Sequence, residues 1–241
     1  MSRRTKRIIK ITGFTVALIV YVLISFYVGM TKDRVTARDA CIRDFFYNAR
    51  GEKNGFWYWF FRIMTEFGDF IAIGVILVIM AIVTKLDYRF ITCLVGLLLA
   101  IGTNVIVKNI YLRERPIAEM RWQEEITSSF PSGHSTAAGF LYTFIAYICY
   151  HLNIKRVTKL LIFIGCLGLI FTVMISRMVL GVHYFTDVLA GLASGVMMSC
   201  LAMIVYHWCE KNNILKEGLI SYIKHHKKEE DEWEKFILLF L

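Results

Sequence analysis

Three short polar stretches interrupt a strongly apolar chain and carry the residues that could do chemistry. They are KNIYLRERP (Lys108 to Pro116), SSFPSGHS (Ser128 to Ser135) and SRMVLGVHYFTD (Ser176 to Asp187). Buried charges are costly unless they are paired or solvated. The stretches are therefore either anchors at a membrane interface or parts of one polar site.

The cations of these stretches suit an anion with several oxygen atoms. Arg113, Arg115 and Arg177 can each give two parallel hydrogen bonds to a phosphate, and Lys108 supplies a mobile point charge. Ser132 and Gly133 come where a helix should begin, and free backbone N–H groups at a helix N-terminus bind anions. These residues predict a phosphate site.

The histidines and the aspartate add groups that can react. His183 and Asp187 are four residues apart, so on a helix they share one face. A carboxylate that accepts the Nδ1 proton would leave Nε2 free as a nucleophile and would stabilise the imidazolium. His134 could then act as a general acid on the leaving oxygen. No cluster of Asp and Glu is available for Mg²⁺, so Lys and Arg must neutralise the phosphate.

Each feature also has an ordinary interpretation. Arg and Lys at helix ends commonly extend to the lipid headgroups. Asp187 could simply cap a helix, and PSGHS could be only a helix start. The ordinary interpretation of all three stretches together requires several independent coincidences.

The composition indicates a membrane protein. The chain has 241 residues, of which 57% are hydrophobic, and a mean hydropathy of +0.55. The net charge of +9 does not indicate nucleic-acid binding, because Lys and Arg flank apolar runs. The six cysteines form no CxxC pair and no metal-binding spacing with His, so we interpret them as small buried apolar residues.

Six apolar segments approach the roughly 20 residues that a membrane helix needs. They predict an all-α polytopic membrane protein, a bundle of six transmembrane helices. The segments are Ile11–Met30, Phe67–Thr84, Phe90–Val107, Thr136–Leu152, Leu160–Ser176 and Val188–Trp208. The first could belong to a signal peptide, but its length and the lack of a cleavage site favour a retained anchor helix.

The distribution of Lys and Arg predicts the topology. The basic N-terminus, the loops after the second and fourth spans and the C-terminal tail then share the cytoplasmic side of the plasma membrane. All three polar stretches fall on the extracytoplasmic side. Residues 31–66 also carry Lys and Arg, which counts against this topology. Their aromatic run FWYWFF (Phe56 to Phe61) indicates a membrane interface or, alternatively, a small core under a surface loop.

We divide the chain into four segments. Residues 1–30 form a basic segment and the first transmembrane helix, and residues 31–66 form an extracytoplasmic interfacial loop. Residues 67–208 form the catalytic core with the other five spans, and residues 209–241 form a charged cytoplasmic tail. In the last span Gly191 and Gly195 form a GxxxG pattern, which predicts close helix packing.

The three stretches together resemble the signature of the type 2 phosphatidic acid phosphatase superfamily, which also includes vanadium-dependent haloperoxidases. That signature is Lys, six residues, Arg-Pro; then Pro-Ser-Gly-His; then Ser-Arg, three residues, Gly, one residue, His, three residues, Asp. The matching residues are Lys108, Arg115, Pro116, Pro131, Ser132, Gly133, His134, Ser176, Arg177, Gly181, His183 and Asp187. No signature position is missing, and the resemblance covers residues 67 to about 208.

The resemblance implies a role for each matched residue. His183 attacks phosphorus and forms a phosphohistidine, Asp187 orients it, and His134 protonates the leaving group before water releases inorganic phosphate. The residues that hold the phosphate oxygens are Lys108, Arg115, Ser132, Gly133 and Arg177. The family is metal-independent, so we expect no metal and no cofactor.

The expected function is therefore an integral membrane lipid phosphate phosphatase, with phosphatidylglycerophosphate or phosphatidate favoured and undecaprenyl pyrophosphate as the alternative. Glu119, Glu124 and Glu125 are expected to influence headgroup choice. A vanadium haloperoxidase is a rival class, although its members are soluble as a rule. A lipid phosphate transporter is another, but it would not need the histidines. The expected partners are the lipid substrate and the bilayer, with no nucleic acid and no obligate protein partner.

Overall fold

The computed structural model describes residues 3–31 and 35–212, and this part of the chain is helical without strands, which confirms the all-α prediction. Its α-helices are α1 (Arg3–Met30), α2 (Ala37–Ala49), α3 (Phe56–Glu66), α4 (Phe70–Thr84), α5 (Tyr88–Tyr111), α6 (Gly133–His151), α7 (Arg156–Val179) and α8 (Phe185–Lys211). A 3₁₀ turn, Ala118–Met120, lies in the α5–α6 connection. The predicted charged tail lies outside the described residues except for its first four.

Four helices are long and apolar enough to cross a membrane: α1 from Lys10 onwards, α5, α7 and α8. Helices α3 and α4 meet the same criterion only as a pair, bent by 44° at their junction, so the described residues contain four or five such spans. Every segment predicted as a span overlaps one of the helices. Helix α6 is not among the helices that meet the criterion, and its polar residues include His134, Ser135 and Thr136 in the first turn and His151 at the end.

Short polar side chains begin the helices around the site. The Asp69 carboxylate accepts a hydrogen bond from the first backbone N–H of α4. Ser132 caps α6, as predicted, and accepts from the backbone N–H of Ser135 at 3.4 Å. Such caps satisfy backbone donors that a helix start leaves without partners.

Helices α6 and α8 pack closely in the interior of the bundle, as the GxxxG pattern predicts. A Cβ atom on Gly195 would lie 2.3 Å from the Thr136 carbonyl oxygen, and one on Gly191 would lie 2.5 Å from that of Ser132. Only glycine permits this approach of the two backbones. The contact brings the PSGH stretch at the start of α6 next to the HYFTD stretch at the start of α8.

The segment 31–66 contains two helices that its composition did not predict. Helix α2 packs against α7 and α8, and α3 packs against α7. The aromatic run of α3 divides between two environments. Trp57 and Trp59 are more than half exposed, as expected at a membrane interface, whereas Tyr58 packs edge-on against Trp122 at 5.5 Å. Both interpretations of this run therefore describe part of it.

Candidate phosphate site

All three polar stretches meet at one end of the bundle around a cavity of about 240 Å³. The signature residues in its lining are Lys108 near the end of α5, Arg115 in the α5–α6 connection, Gly133 and His134 at the start of α6, and His183 just before α8. Two histidines and two cations thus face the same small volume.

His183 is almost fully buried beside cations. Its Nε2 atom lies 3.2 Å from Arg115 Nη1, and its Nδ1 atom lies 3.5 Å from Asp187 Oδ2. The second distance is longer than a normal hydrogen bond, so the carboxylate is adjacent without firmly sharing the proton. Burial lowers the pKa of His183 well below its usual value, and Arg115, Arg177 and Lys108 lower it further. The imidazole is therefore neutral at neutral pH.

Asp187 is held by three donors other than the histidine. Its Oδ2 atom accepts from the Ser129 hydroxyl and, at 2.9 Å, from the backbone N–H of Tyr184. Its Oδ1 atom accepts from Arg113 Nη1 at 2.5 Å. The bond to Tyr184 makes Asp187 part of the cap of α8. The Asp187 carboxylate therefore both caps the start of α8 and faces His183.

The cations are fixed by backbone carbonyl groups. Arg115 donates from Nε to the Thr127 carbonyl at 2.7 Å and from Nη1 to the Val182 carbonyl at 2.8 Å. Burial lowers the pKa of Arg115 to about 10, which still leaves it charged at neutral pH. Lys108 donates to the Ser128 carbonyl. These bonds hold two positive charges at the cavity without neutralising them.

Glu125 pairs with two arginines at the cavity. Arg177 is wholly buried and donates to Glu125 and, at 3.0 Å, to the Thr65 hydroxyl. Arg115 Nη2 lies 3.6 Å from the other Glu125 oxygen. Of the glutamates expected to influence headgroup choice, Glu119 and Glu124 are exposed, whereas Glu125 lines the cavity. Its carboxylate therefore lies between the two guanidinium groups at the edge of the cavity.

Of Ser132, Gly133 and His134 at the start of α6, two line the cavity and one does not. His134 and Gly133 line it, and His134 Nε2 is buried with no hydrogen-bond partner among the described residues. The Ser132 hydroxyl instead bonds to Ser135 within the cap. Ser132, Arg177 and Asp187 lie behind the cavity wall, so the structure brings the predicted residues together in two layers.

Sequence reasoning missed several buried residues around this site, among them Asn104 in the cavity lining and Asp39 behind it. The Asp39 carboxylate of α2 accepts from Arg113 Nη2 at 2.8 Å. Arg113, which the sequence groups with the cations of the phosphate site, is instead buried between Asp39 and Asp187. Nothing in the sequence distinguishes Asp39 from other acidic residues of this charged segment. Within residues 3–31 and 35–212, no group of three or more His, Cys, Asp or Glu side chains is placed to hold a metal ion.

Comparison with known proteins identifies the family. Residues 89–211, slightly more than half of the chain, match the family model described as the PAP2 superfamily. The chain belongs to the PAP2 superfamily. The match contains all three polar stretches and helices α6, α7 and α8, and it confirms the resemblance to type 2 phosphatidic acid phosphatases.

Curated PAP2 relatives match over part of their length. Phosphatidylglycerophosphatase B of Bacillus subtilis is 38% identical over 108 residues, which are 42% of this chain and 52% of that protein. Lipid A 1-phosphatase of Rhizobium etli is 38% identical over 84 residues, which are 34% of this chain and 31% of that protein. The matches thus span about half or less of these relatives.

Solved structures extend the similarity over most of the fold. The crystal structure of a transmembrane PAP2 type phosphatidylglycerolphosphate phosphatase from Bacillus subtilis superposes with a TM-score of 0.65 and 26% identity, covering 81% of this chain and 94% of that one. The structure of Aquifex aeolicus LpxE superposes with a TM-score of 0.58 and 19% identity, over 71% of this chain and 98% of that one. With its apolar helices, the chain therefore has the fold of a multi-pass PAP2 membrane protein.

Proposed function

We propose that this PAP2 protein is an integral membrane lipid phosphate phosphatase that works through a phosphohistidine. The observation that carries the proposal is one cavity lined by His183 and by His134, with Lys108 and Arg115 beside them. A nucleophile, a proton donor and charge-neutralising cations around one small volume are what phosphoryl transfer to a histidine requires.

The proposed reaction proceeds in two steps. Neutral His183 attacks phosphorus through Nε2, the ester P–O bond breaks, and His134 gives its proton to the leaving oxygen. A bound phosphate dianion favours the protonated form of His134 beforehand. Asp187, 3.5 Å from Nδ1, stabilises the imidazolium that forms. Water, deprotonated by His134, then attacks phosphorus, the P–N bond breaks, and inorganic phosphate leaves.

The cation set holds the phosphoryl oxygens throughout. Lys108 and Arg115 contribute from the cavity wall, and the Gly133 backbone contributes from the start of α6. Arg177 joins them once Glu125 is displaced by the incoming phosphate. Because these groups supply the positive charge, we propose that no metal ion takes part.

The apolar side of the cavity favours a lipid substrate over a soluble one. Phe70 of α4 and Val105 of α5 line the cavity and are at least half exposed on the outside of the bundle. Acyl chains could lie along this surface while the headgroup phosphate enters between the cations. The names of one Bacillus subtilis relative and of one solved structure from the same organism favour phosphatidylglycerophosphate over undecaprenyl pyrophosphate.

We further propose six spans, with the α3–α4 pair as one span and α6 as another. At roughly 1.5 Å per residue, the 19 residues of α6 have a length close to the hydrocarbon thickness. Lys85, Arg89, Lys155, Arg156 and Lys159 lie at the end of the bundle opposite the cavity. The positive-inside rule then puts both termini in the cytoplasm and the site on the extracytoplasmic side of the plasma membrane.

A detergent assay of phosphate release tests the function. Purified protein is given phosphatidylglycerophosphate, phosphatidate and undecaprenyl pyrophosphate side by side, together with the variants His183→Ala and His207→Ala. We expect release from at least one lipid, lost in His183→Ala and kept in His207→Ala, whose side chain is exposed near the end of α8. Appreciable turnover by His183→Ala would refute the nucleophile, and lipid binding without release would indicate a transporter.

A further inference from the structure

Asp39 is a buried carboxylate in a helix that lies outside the residues matching the family. It is wholly inaccessible to solvent, and it lies in α2, before the matched residues 89–211. The Thr36 hydroxyl accepts from the Asp39 backbone N–H at 3.1 Å and fixes the residue in the first turn of α2. Because burying an ionised carboxylate is costly unless it is paired, its partners indicate why it is there.

Those partners connect Asp39 to the start of α8 and to Arg113. Its Oδ1 atom accepts from the Thr186 backbone N–H at 3.1 Å. Its Oδ2 atom accepts from the Thr186 hydroxyl at 2.7 Å and from Arg113 Nη2 at 2.8 Å. The hydrogen bonds of its carboxylate therefore go to Thr186 and Arg113, which both adjoin Asp187.

Arg113 carries the connection to the site. Its other terminal nitrogen donates to Asp187 Oδ1 at 2.5 Å and to the Thr186 hydroxyl at 2.8 Å, and its guanidinium lies over the Tyr184 ring at 4.5 Å. Burial alone would lower the pKa of Arg113, but Asp187 and Asp39 raise it above its usual value. The row Asp39–Arg113–Asp187 thus alternates in charge and ends beside His183.

We propose that Asp39 is a positioning residue that keeps Asp187 oriented, and its negative charge uncompensated, beside His183. The inference rests on the proposed function of His183 as nucleophile. With Asp39 ionised, the row carries a net charge of minus one. Without it, Arg113 would neutralise Asp187 completely, and the imidazolium that forms on phosphoryl transfer would lose its counter-charge.

Other charged groups also face His183. They are Lys108 of α5, Arg115 and Glu125 of the α5–α6 connection, His134 of α6, Arg177 of α7 and Asp187 of α8. Asp39 is connected to His183 only through Arg113 and Asp187, and it does not line the cavity. Its effect should therefore fall on bond formation at His183 and not on anion binding.

Equilibrium binding of two oxyanions separates these effects. Vanadate accepts a fifth ligand from a nitrogen nucleophile and so reports on His183, whereas inorganic phosphate reports on the cations alone. The test compares wild type, Asp39→Asn and Asp44→Asn. Asp44 is a matched control because it lies in the same helix, pairs with Arg43 and is 49% exposed.

We expect Asp39→Asn to weaken vanadate binding about tenfold, the value of one charge-assisted hydrogen bond, and to leave phosphate binding within about twofold. Its kcat should fall by a similar factor with KM unchanged, and Asp44→Asn should match wild type. The proposal would be overturned if folded Asp39→Asn bound vanadate as tightly as wild type does. It would also be overturned if the variant lost affinity for vanadate and phosphate equally and unfolded at a lower temperature.

Two features keep this test decisive. If Asp39→Asn does not fold, Thr186→Val takes its place, because it removes the hydroxyl that bonds both Asp39 and Arg113 while every charge stays. A selective loss of vanadate affinity is again expected, and an equal effect on both anions again overturns the proposal. If wild type binds vanadate but hydrolyses no lipid phosphate, the proposed function fails. The vanadate affinities of wild type and Asp39→Asn would still show whether Asp39 supports bond formation at His183.

Discussion

Replacing Glu125 with Gln should make the cavity a tighter binder of phosphate. The Glu125 carboxylate pairs with Arg177 and lies 3.6 Å from Arg115, so an incoming phosphate must displace it from two guanidinium groups. The Gln side chain keeps the shape but removes the negative charge. Phosphate would then meet cations without a competing internal anion.

The size of the effect follows from the exposure of this pair. A hydrogen bond between charged groups contributes about 1.5–3 kcal/mol. The Glu125 side chain is 21% exposed while that of Arg177 is fully buried, so partial hydration favours the lower end of this range. Because about 1.4 kcal/mol corresponds to a factor of ten, the inhibition constant of inorganic phosphate should fall about tenfold.

Product inhibition of lipid phosphate hydrolysis measures this change. Wild type, Glu125→Gln and Glu114→Gln are titrated with inorganic phosphate at fixed substrate and constant ionic strength. Glu114 is the control because it is exposed and lies between the two arginines at positions 113 and 115. An unchanged or higher inhibition constant in Glu125→Gln would show that the carboxylate does not compete with phosphate.

Three further predictions concern pH, metal ions and packing. Arg115→Gln removes a cation 3.2 Å from His183 and so should raise the pKa of that histidine. Because the neutral imidazole is the proposed nucleophile, the acid limb of the pH profile of kcat/KM should move to higher pH. An acid limb at the wild-type pH would contradict this prediction. Activity should persist in EDTA, whereas a loss reversed by a divalent ion would contradict a metal-free mechanism. Gly195→Leu should lower the thermal unfolding midpoint markedly, because overpacking costs about 1–3 kcal/mol or more. Gly168→Leu should leave the midpoint unchanged, because a Cβ atom at that position meets nothing within 4 Å among the described residues.

The closeness of His183 and Asp187 could be predicted because only three residues separate them. The sequence predicts that His183 and Asp187 share a helix face, but α8 begins at Phe185 and leaves His183 in the preceding turn. The structure still puts His183 Nδ1 3.5 Å from the Asp187 carboxylate. Ser132 caps the helix that the PSGH stretch predicts. Local spacing of this kind survives folding because the atoms concerned are joined by only a few rotatable bonds.

The supporting residues could not be predicted, because their contacts join distant parts of the chain. Asp39 and Arg113 are 74 positions apart, and no periodicity in the sequence relates them. The number of spans is ambiguous for a related reason. Helix α6 is too polar to be counted as a span by composition, and part of that polarity is His134, Ser135 and Thr136 in its first turn, where the site and the helix cap need polar residues.

The order of the cavity residues along the chain has a consequence for biogenesis. Arg115 follows α5, His134 begins α6, and His183 comes directly before α8, the last helix of the described chain. A nascent chain that has inserted only the helices up to α6 holds Arg115 and His134 but not His183. The cavity is therefore complete only once the segment that leads into α8 is in place, so the site assembles late in the insertion of the described helices.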